Sequence, residues 1–242
     1  MKSPGYETTQ PTAVTKTLSV LIPVYNEKDT VLELLRRVEA VALPVAKEIV
    51  IVDDGSRDGT RELLAGLGAR AKVVLHPANR GKGAALRTAL EHATGDFVIV
   101  QDADLEYDPV DYPILLAPLL DGRADAVYGS RFLGGPHRVM FFWNYFANKL
   151  FTLITNVLYD VNLTDMGTCY KVFVAEKIKA VPLESERFGI EAEITAKICK
   201  RRFRLYETPI SYSGRTYDEG KKITWKDGFS YLWCLLRYRF AD

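Results

Sequence analysis

The sequence predicts an α/β fold, a Rossmann-like, mostly parallel sheet flanked by helices, with amphipathic helices towards the C-terminus. Three observations predict it. Through the first half, short runs of near-continuous Val, Ile and Leu alternate with segments of helical spacing, as in sheets buried on both faces. Acidic or polar clusters directly follow three of those runs, where ligands bind in such sheets. The 242 residues, 48% of them hydrophobic and 26% charged, are enough for one sizeable soluble domain.

Met1–Thr17 has no apolar core and reads as a flexible lead-in rather than a secretory signal. Residues 18–242 read as one domain of two halves, 18–131 and 132–242. Strands are predicted at Leu18–Val24, Lys47–Val52, Lys72–Leu75, Phe97–Gln101 and Ala124–Tyr128. Helices are predicted at Lys28–Val41, Arg57–Leu67, Gly81–Ala93 and Asp111–Leu120. The second half changes character: a long aromatic helix over Val139–Tyr159, a strand over Thr168–Val174, a helix over Ile190–Arg201, a strand over Arg204–Pro209, a loop over Ser211–Lys222 and an aromatic helix over Thr224–Phe240. No run of about 18 apolar residues occurs, so no membrane span is expected.

The net charge of +1 gives no reason to expect nucleic acid as a partner. The charge is uneven, however: Lys197–Phe240 carries eleven Lys and Arg against four Asp and Glu, which suits an anionic partner. Cys169, Cys199 and Cys234 lack pairing spacing and fit free thiols in a reducing compartment. No Cys/His cluster suggests zinc.

Asp102-Ala103-Asp104 follows the fourth strand. Two carboxylates one residue apart at a strand end suit Mg²⁺ or Mn²⁺, and the ion can then hold a substrate diphosphate. Glu106 and Asp108 add oxygen donors nearby. In Asp53–Thr60, one aspartate, Asp54 above all, can accept hydrogen bonds from a base or ribose, whereas Asp58 or Ser56 suits a helix cap. Asn79-Arg80-Gly81-Lys82-Gly83 either cradles phosphate at a helix start or forms a tight turn with close packing. It lacks Walker A spacing.

These blocks, with Ile22-Pro23-Val24-Tyr25-Asn26-Glu27, Gly129-Ser130-Arg131-Phe132, Thr164–Lys171, Arg187–Glu191 and Ser211–Lys222, resemble glycosyltransferase family 2 with the GT-A fold. The pattern looks like the dolichyl- or polyprenyl-phosphate sugar transferases, the dolichol-phosphate mannose synthase group in particular. The resemblance implies inverting transfer of a hexose from a nucleotide sugar, GDP-mannose first and UDP-glucose second, to a polyprenyl phosphate. It implies that Pro23, Tyr25, Glu27 and Asp54 hold the nucleoside, and that Asp102, Asp104 and Glu106 bind metal and diphosphate. Arg131 would meet the acceptor phosphate, and Arg215, Lys221 and Lys222 would close over the diphosphate. Glu106 is a departure, since some relatives carry Gln there.

A lipid phosphate is already ionised and needs positioning and charge balance rather than a base, which Arg131 can supply. A hydroxyl acceptor would need a base, for which Glu191, Glu193 or Asp165 are the candidates. Thr224–Phe240 and the segment Phe141–Phe151 carry enough aromatics to lie in a membrane interface, making the protein peripheral at the cytoplasmic face; packing on the sheet is the other reading. In the long helix Asn144, Asn148, Thr152 and Thr155 form a polar stripe. A nonenzymatic nucleotide-sugar sensor or scaffold is the alternative of another class.

Overall fold

The computed structural model describes residues 16–134, 136–215 and 225–241, with side chains in the last stretch described from 228 onward. Seven strands form one sheet: β1 (Thr17–Val24), β2 (Ala46–Asp53), β3 (Lys72–Leu75), β4 (Phe97–Val100), β5 (Ala126–Ser130), β6 (Lys171–Val174) and β7 (Leu205–Pro209), in the order β3-β2-β1-β4-β6-β5-β7. Every described pairing is parallel except those of β6, which runs antiparallel between β4 and β5. The second half of the chain thus threads its strand into the sheet of the first, so both halves share one core.

Among the described residues, eight α-helices flank the sheet: α1 (Val31–Ala40), α2 (Thr60–Ala65), α3 (Lys82–His92), α4 (Tyr112–Leu120), α5 (Phe142–Tyr159), α6 (Ala175–Lys179), α7 (Ile190–Lys200) and α8 (Trp225–Phe240). The central strands are buried on both faces, as their unbroken apolar runs require: Val20, Ile22, Val50, Ile51, Val52 and Ile99 have no exposed surface. Burying each such side chain contributes about 1.5–3 kcal/mol.

Several helices begin later than their apolar periodicity predicts, and the reason is local. Asn26 has φ 51° and Gly59 φ 100°, so the chain turns at both places before helical geometry sets in. Asp58 accepts hydrogen bonds from the Thr60 N–H and hydroxyl and from the Lys28 N–H, fixing the start of α2. The strand predicted from Thr168 begins only at Lys171, and the short α6 follows it at once. β1 takes in Thr17, which the sequence pattern assigns to the lead-in.

Candidate active site

The parallel register brings the ends of β1, β2 and β4 to one edge of the sheet. A cavity of about 730 Å³ opens there, roofed by α5 and α8. Pro23, Tyr25, Glu27, Asp54, Lys82, Asp102, Asp104, Glu106, Arg131 and Arg215 all line it. Lys221 and Lys222, expected to join them, lie outside the described residues.

Asp54 is buried and heavily bonded. It accepts from the backbone N–H of Arg80 (2.9 Å) and Gly81 (2.7 Å), and His76 Nδ1 lies 2.7 Å from it. Its carboxylate therefore ties the 79–81 loop to the end of β2. A side chain at Gly81 or Gly83 would collide with the backbone of Ser185 or Glu186, and Ala84 N–H donates to the Glu186 carbonyl. Of the two readings of this loop, close packing against 185–186 accounts for the glycines.

The acidic pair is held by cations from other elements. Lys82 Nζ lies 2.8 Å from Asp102 and 2.8 Å from Glu191, whose other oxygen meets Lys171 Nζ at 2.8 Å. Burial raises the carboxyl pKa of Glu191, but Lys171 and Lys82 outweigh it and bring it down to about 2. Arg215 Nη2 bridges Glu27 (3.1 Å) and Asp104 (3.3 Å). Glu106, on the same cavity wall, accepts from the Tyr212 hydroxyl (2.8 Å) and from Arg215 N–H (2.7 Å).

Among the described residues no group of three His, Cys, Asp or Glu side chains is assembled to hold a metal ion, so the expected trio of Asp102, Asp104 and Glu106 is not drawn together. The donor chemistry still fits Mg²⁺ or Mn²⁺, which bind through one or two carboxylates plus substrate phosphate oxygens. Asp102 and Asp104 each keep 22% of their side chain exposed. Six carboxylates and four cationic side chains line the cavity among the described residues, an excess of two negative charges that one divalent ion balances.

Arg131, directly after β5, is buried. Its Nε and Nη2 each lie 2.7 Å from an oxygen of the fully buried Asp165, and Nη2 also donates to Asn148 Oδ1 (3.2 Å). Asp165 is thus paired with an arginine. Glu193, also fully buried, pairs with Lys197 at 2.8 Å, accepts from the N–H of Glu184 and Ser185, and is not part of the cavity wall.

Helix α5 is turned inside out. Its polar stripe faces inward: Asn144 and Asn148 line the cavity, Thr152 accepts from Met166 N–H, and Thr155 is buried. Its outer face is Phe142, Phe146, Leu150, Leu153 and Val157, between 41% and 75% exposed. Neighbouring α8 repeats the spacing with Phe229, Trp233, Leu236 and Phe240, between 40% and 84% exposed. The α5 stripe is visible in the sequence, yet sequence reasoning gave it no place in the site. Its signal was there: four polar residues at helical spacing in an otherwise aromatic helix have to satisfy their hydrogen bonds somewhere.

Residues 19–181 match the family described as Glycosyl transferase family 2. Glycosyltransferase AglJ of Haloferax volcanii is 31% identical over 199 residues, 81% of this chain and 63% of the relative. Undecaprenyl-phosphate 4-deoxy-4-formamido-L-arabinose transferase of Pseudomonas aeruginosa is 35% identical over 176 residues, 70% of this chain and 50% of the relative. The chain thus spans half to under two thirds of these relatives' length. Glucosyl-3-phosphoglycerate synthase from Mycobacterium tuberculosis, solved with Mn²⁺, uridine diphosphate and phosphoglyceric acid, superposes with a TM-score of 0.73 at 20% identity, covering 94% of this chain and 80% of that one. At that identity the likeness shows the fold.

Proposed function

The chain belongs to glycosyl transferase family 2 and has the GT-A fold, and from that premise we propose that it transfers a hexose from a nucleotide sugar to a polyprenyl phosphate at the cytoplasmic face of a membrane. The observation that carries this reading is the orientation of α5. Its polar stripe serves the cavity while its outer face and that of α8 offer apolar and aromatic side chains to the surroundings. A lipid-borne acceptor needs such a wall: polar where its phosphate sits and apolar where its chain and the bilayer lie. The undecaprenyl-phosphate transferase relative supports the same acceptor class.

The carboxylates point the same way. Each candidate base for a hydroxyl acceptor is committed: Glu191 to two lysines, Glu193 to Lys197 and Asp165 to Arg131. With a pKa of about 2, Glu191 is a weak proton acceptor at neutral pH. A phosphate oxygen needs no base. It attacks the anomeric carbon, the new C–O bond forms as the bond to the nucleoside diphosphate breaks, and configuration inverts.

In this mechanism Arg131, braced by Asp165, orients the acceptor phosphate. Pro23, Tyr25 and Glu27 bind the nucleoside, and Asp54 shapes that wall through the 79–81 loop. Lys82 and Arg215 face the donor phosphates; Lys221 and Lys222, outside the described residues, keep the diphosphate role that the sequence resemblance implies. Asp102 and Asp104 would hold a Mg²⁺ or Mn²⁺ ion, which would neutralise charge on the leaving diphosphate. GDP-mannose is the first donor to test and UDP-glucose the second.

The test is transfer of labelled sugar from each donor to a polyprenyl phosphate, with Mg²⁺ or Mn²⁺ and with EDTA. Metal-dependent label in the lipid phase is the expected result. Label on soluble sugars without lipid would move the acceptor to a hydroxyl. Tight nucleotide binding with no transfer to any acceptor would make the chain a sensor.

A further inference from the structure

Asn144 carries a buried side-chain nitrogen, Nδ2, with no hydrogen-bond partner, and the residue lines the cavity. Leaving such a group unpaired forfeits its solvation without return, and few native buried groups are left so. One helical turn further along, Asn148 is fully engaged: its Nδ2 donates to the Asn144 carbonyl (2.7 Å) and its Oδ1 accepts from Arg131 Nη2 (3.2 Å). Arg131 spends Nε and Nη2 on Asp165 and Asn148, and its Nη1 on neither. The guanidinium carbon lies 5.1 Å from the centre of the Tyr212 ring, another residue of the cavity wall. Gly167 makes room for this arrangement, because a Cβ there would lie 2.8 Å from Asn148 Oδ1.

Resting on the reading above, we propose that Asn144 donates a hydrogen bond to the acceptor phosphate beside Arg131, and that Asn148 is a positioning residue that aims the guanidinium. The unpaired Asn144 donor and Arg131 line the same cavity, and Asn148, one turn along α5 from Asn144, accepts from Arg131. The chemistry they present is two N–H donors and one positive charge, which suits the oxygens of a phosphate ester rather than a neutral hydroxyl. An amide there adds a donor without adding a second charge beside the Arg131–Asp165 pair.

The experiment measures acceptor and donor KM, kcat and thermal stability for wild type, N144A, N144D, N148D, N148L and G167A. Equilibrium binding of farnesyl phosphate, farnesol and inorganic phosphate is followed by tryptophan fluorescence, since Trp143 also lines the cavity. N144A should raise the acceptor KM about tenfold, the loss of one hydrogen bond to a charged group, with donor KM and melting temperature unchanged. N144D should raise it about a hundredfold by setting a like charge against the phosphate. N148L and G167A should lower kcat, with N148D, which keeps an oxygen for Arg131, retaining more activity than N148L. Farnesyl phosphate binding should weaken in step with N144A and N144D, while farnesol and inorganic phosphate bind weakly throughout.

Unchanged farnesyl phosphate binding in both N144A and N144D would overturn the proposal, as would inorganic phosphate binding as tightly as the prenyl ester. A wild-type enzyme that glycosylates only sugar hydroxyls would overturn the lipid-acceptor reading, and a farnesyl phosphate affinity still lowered by N144D would leave the phosphate site standing on its own.

Discussion

Arg131 and Asp165 are joined by two 2.7 Å hydrogen bonds, Nε to one carboxylate oxygen and Nη2 to the other, with Asp165 wholly enclosed. Breaking such a pair from one side leaves a buried charge uncompensated, which costs about 3–5 kcal/mol. D165N should therefore lower the melting temperature by on the order of 10 °C. R131K keeps the charge but loses the planar fork, so it should bind acceptor poorly. Calorimetry on both variants, with acceptor kinetics on R131K, checks the pair.

Asp104 has the lightest commitments of the acidic pair: one 3.3 Å contact with Arg215 and one hydrogen bond from the Glu106 N–H. D104N should fold normally and lose about two to three orders of magnitude in kcat, as when a charge-stabilising group is removed from an active site. Circular dichroism and transfer assays with added Mn²⁺ test this, and an active D104N would remove the residue from the mechanism.

Glu191 gives a pH signature. Its carboxyl pKa falls from an ordinary 4.5 to about 2 in the folded protein. A depressed carboxylate stabilises the fold fully above the unfolded value, and that contribution fades as pH falls towards the folded one. The wild-type melting temperature should thus drop more steeply than that of E191Q between about pH 5 and about pH 2.5. Parallel slopes for the two proteins would dissociate Glu191 from acid stability.

The outward stripes of α5 and α8 predict association with vesicles. Each large apolar side chain moved out of water contributes about 1.5–3 kcal/mol. Phe146, Leu153 and Trp233 all present that surface. The triple change F146E, L153E and W233E should abolish co-sedimentation with phospholipid vesicles while nucleotide binding stays as in wild type.

The parallel part of the sheet and the edge where its acidic clusters meet were legible because both rest on local pattern. Ile49–Val52 and Phe97–Val100 are too uniformly apolar to face water, and the loops leaving parallel strands all emerge on one edge. The antiparallel insertion of β6 was not legible, since strand direction depends on distant partners. Nor was the facing of α5: periodicity reveals two stripes but not which one turns to the core. The hydrogen-bond partners of Asp54 and Glu106 were not legible either: both line the cavity, and the 79–81 backbone donates to one and Tyr212 to the other. No helix among the described residues is long and apolar enough to cross a membrane.

Among the described residues the cavity wall carries two more acidic than basic side chains, which disfavours a bare nucleotide anion. A nucleotide sugar arriving without its cation meets repulsion as well as a missing ligand. A chelator would then act twice, stripping the ion and turning the wall against the donor, so its inhibition should show as a raised donor KM that added salt partly relieves. The same repulsion would help clear the spent nucleoside diphosphate once its cation departs, tying turnover to the exchange rate of the ion.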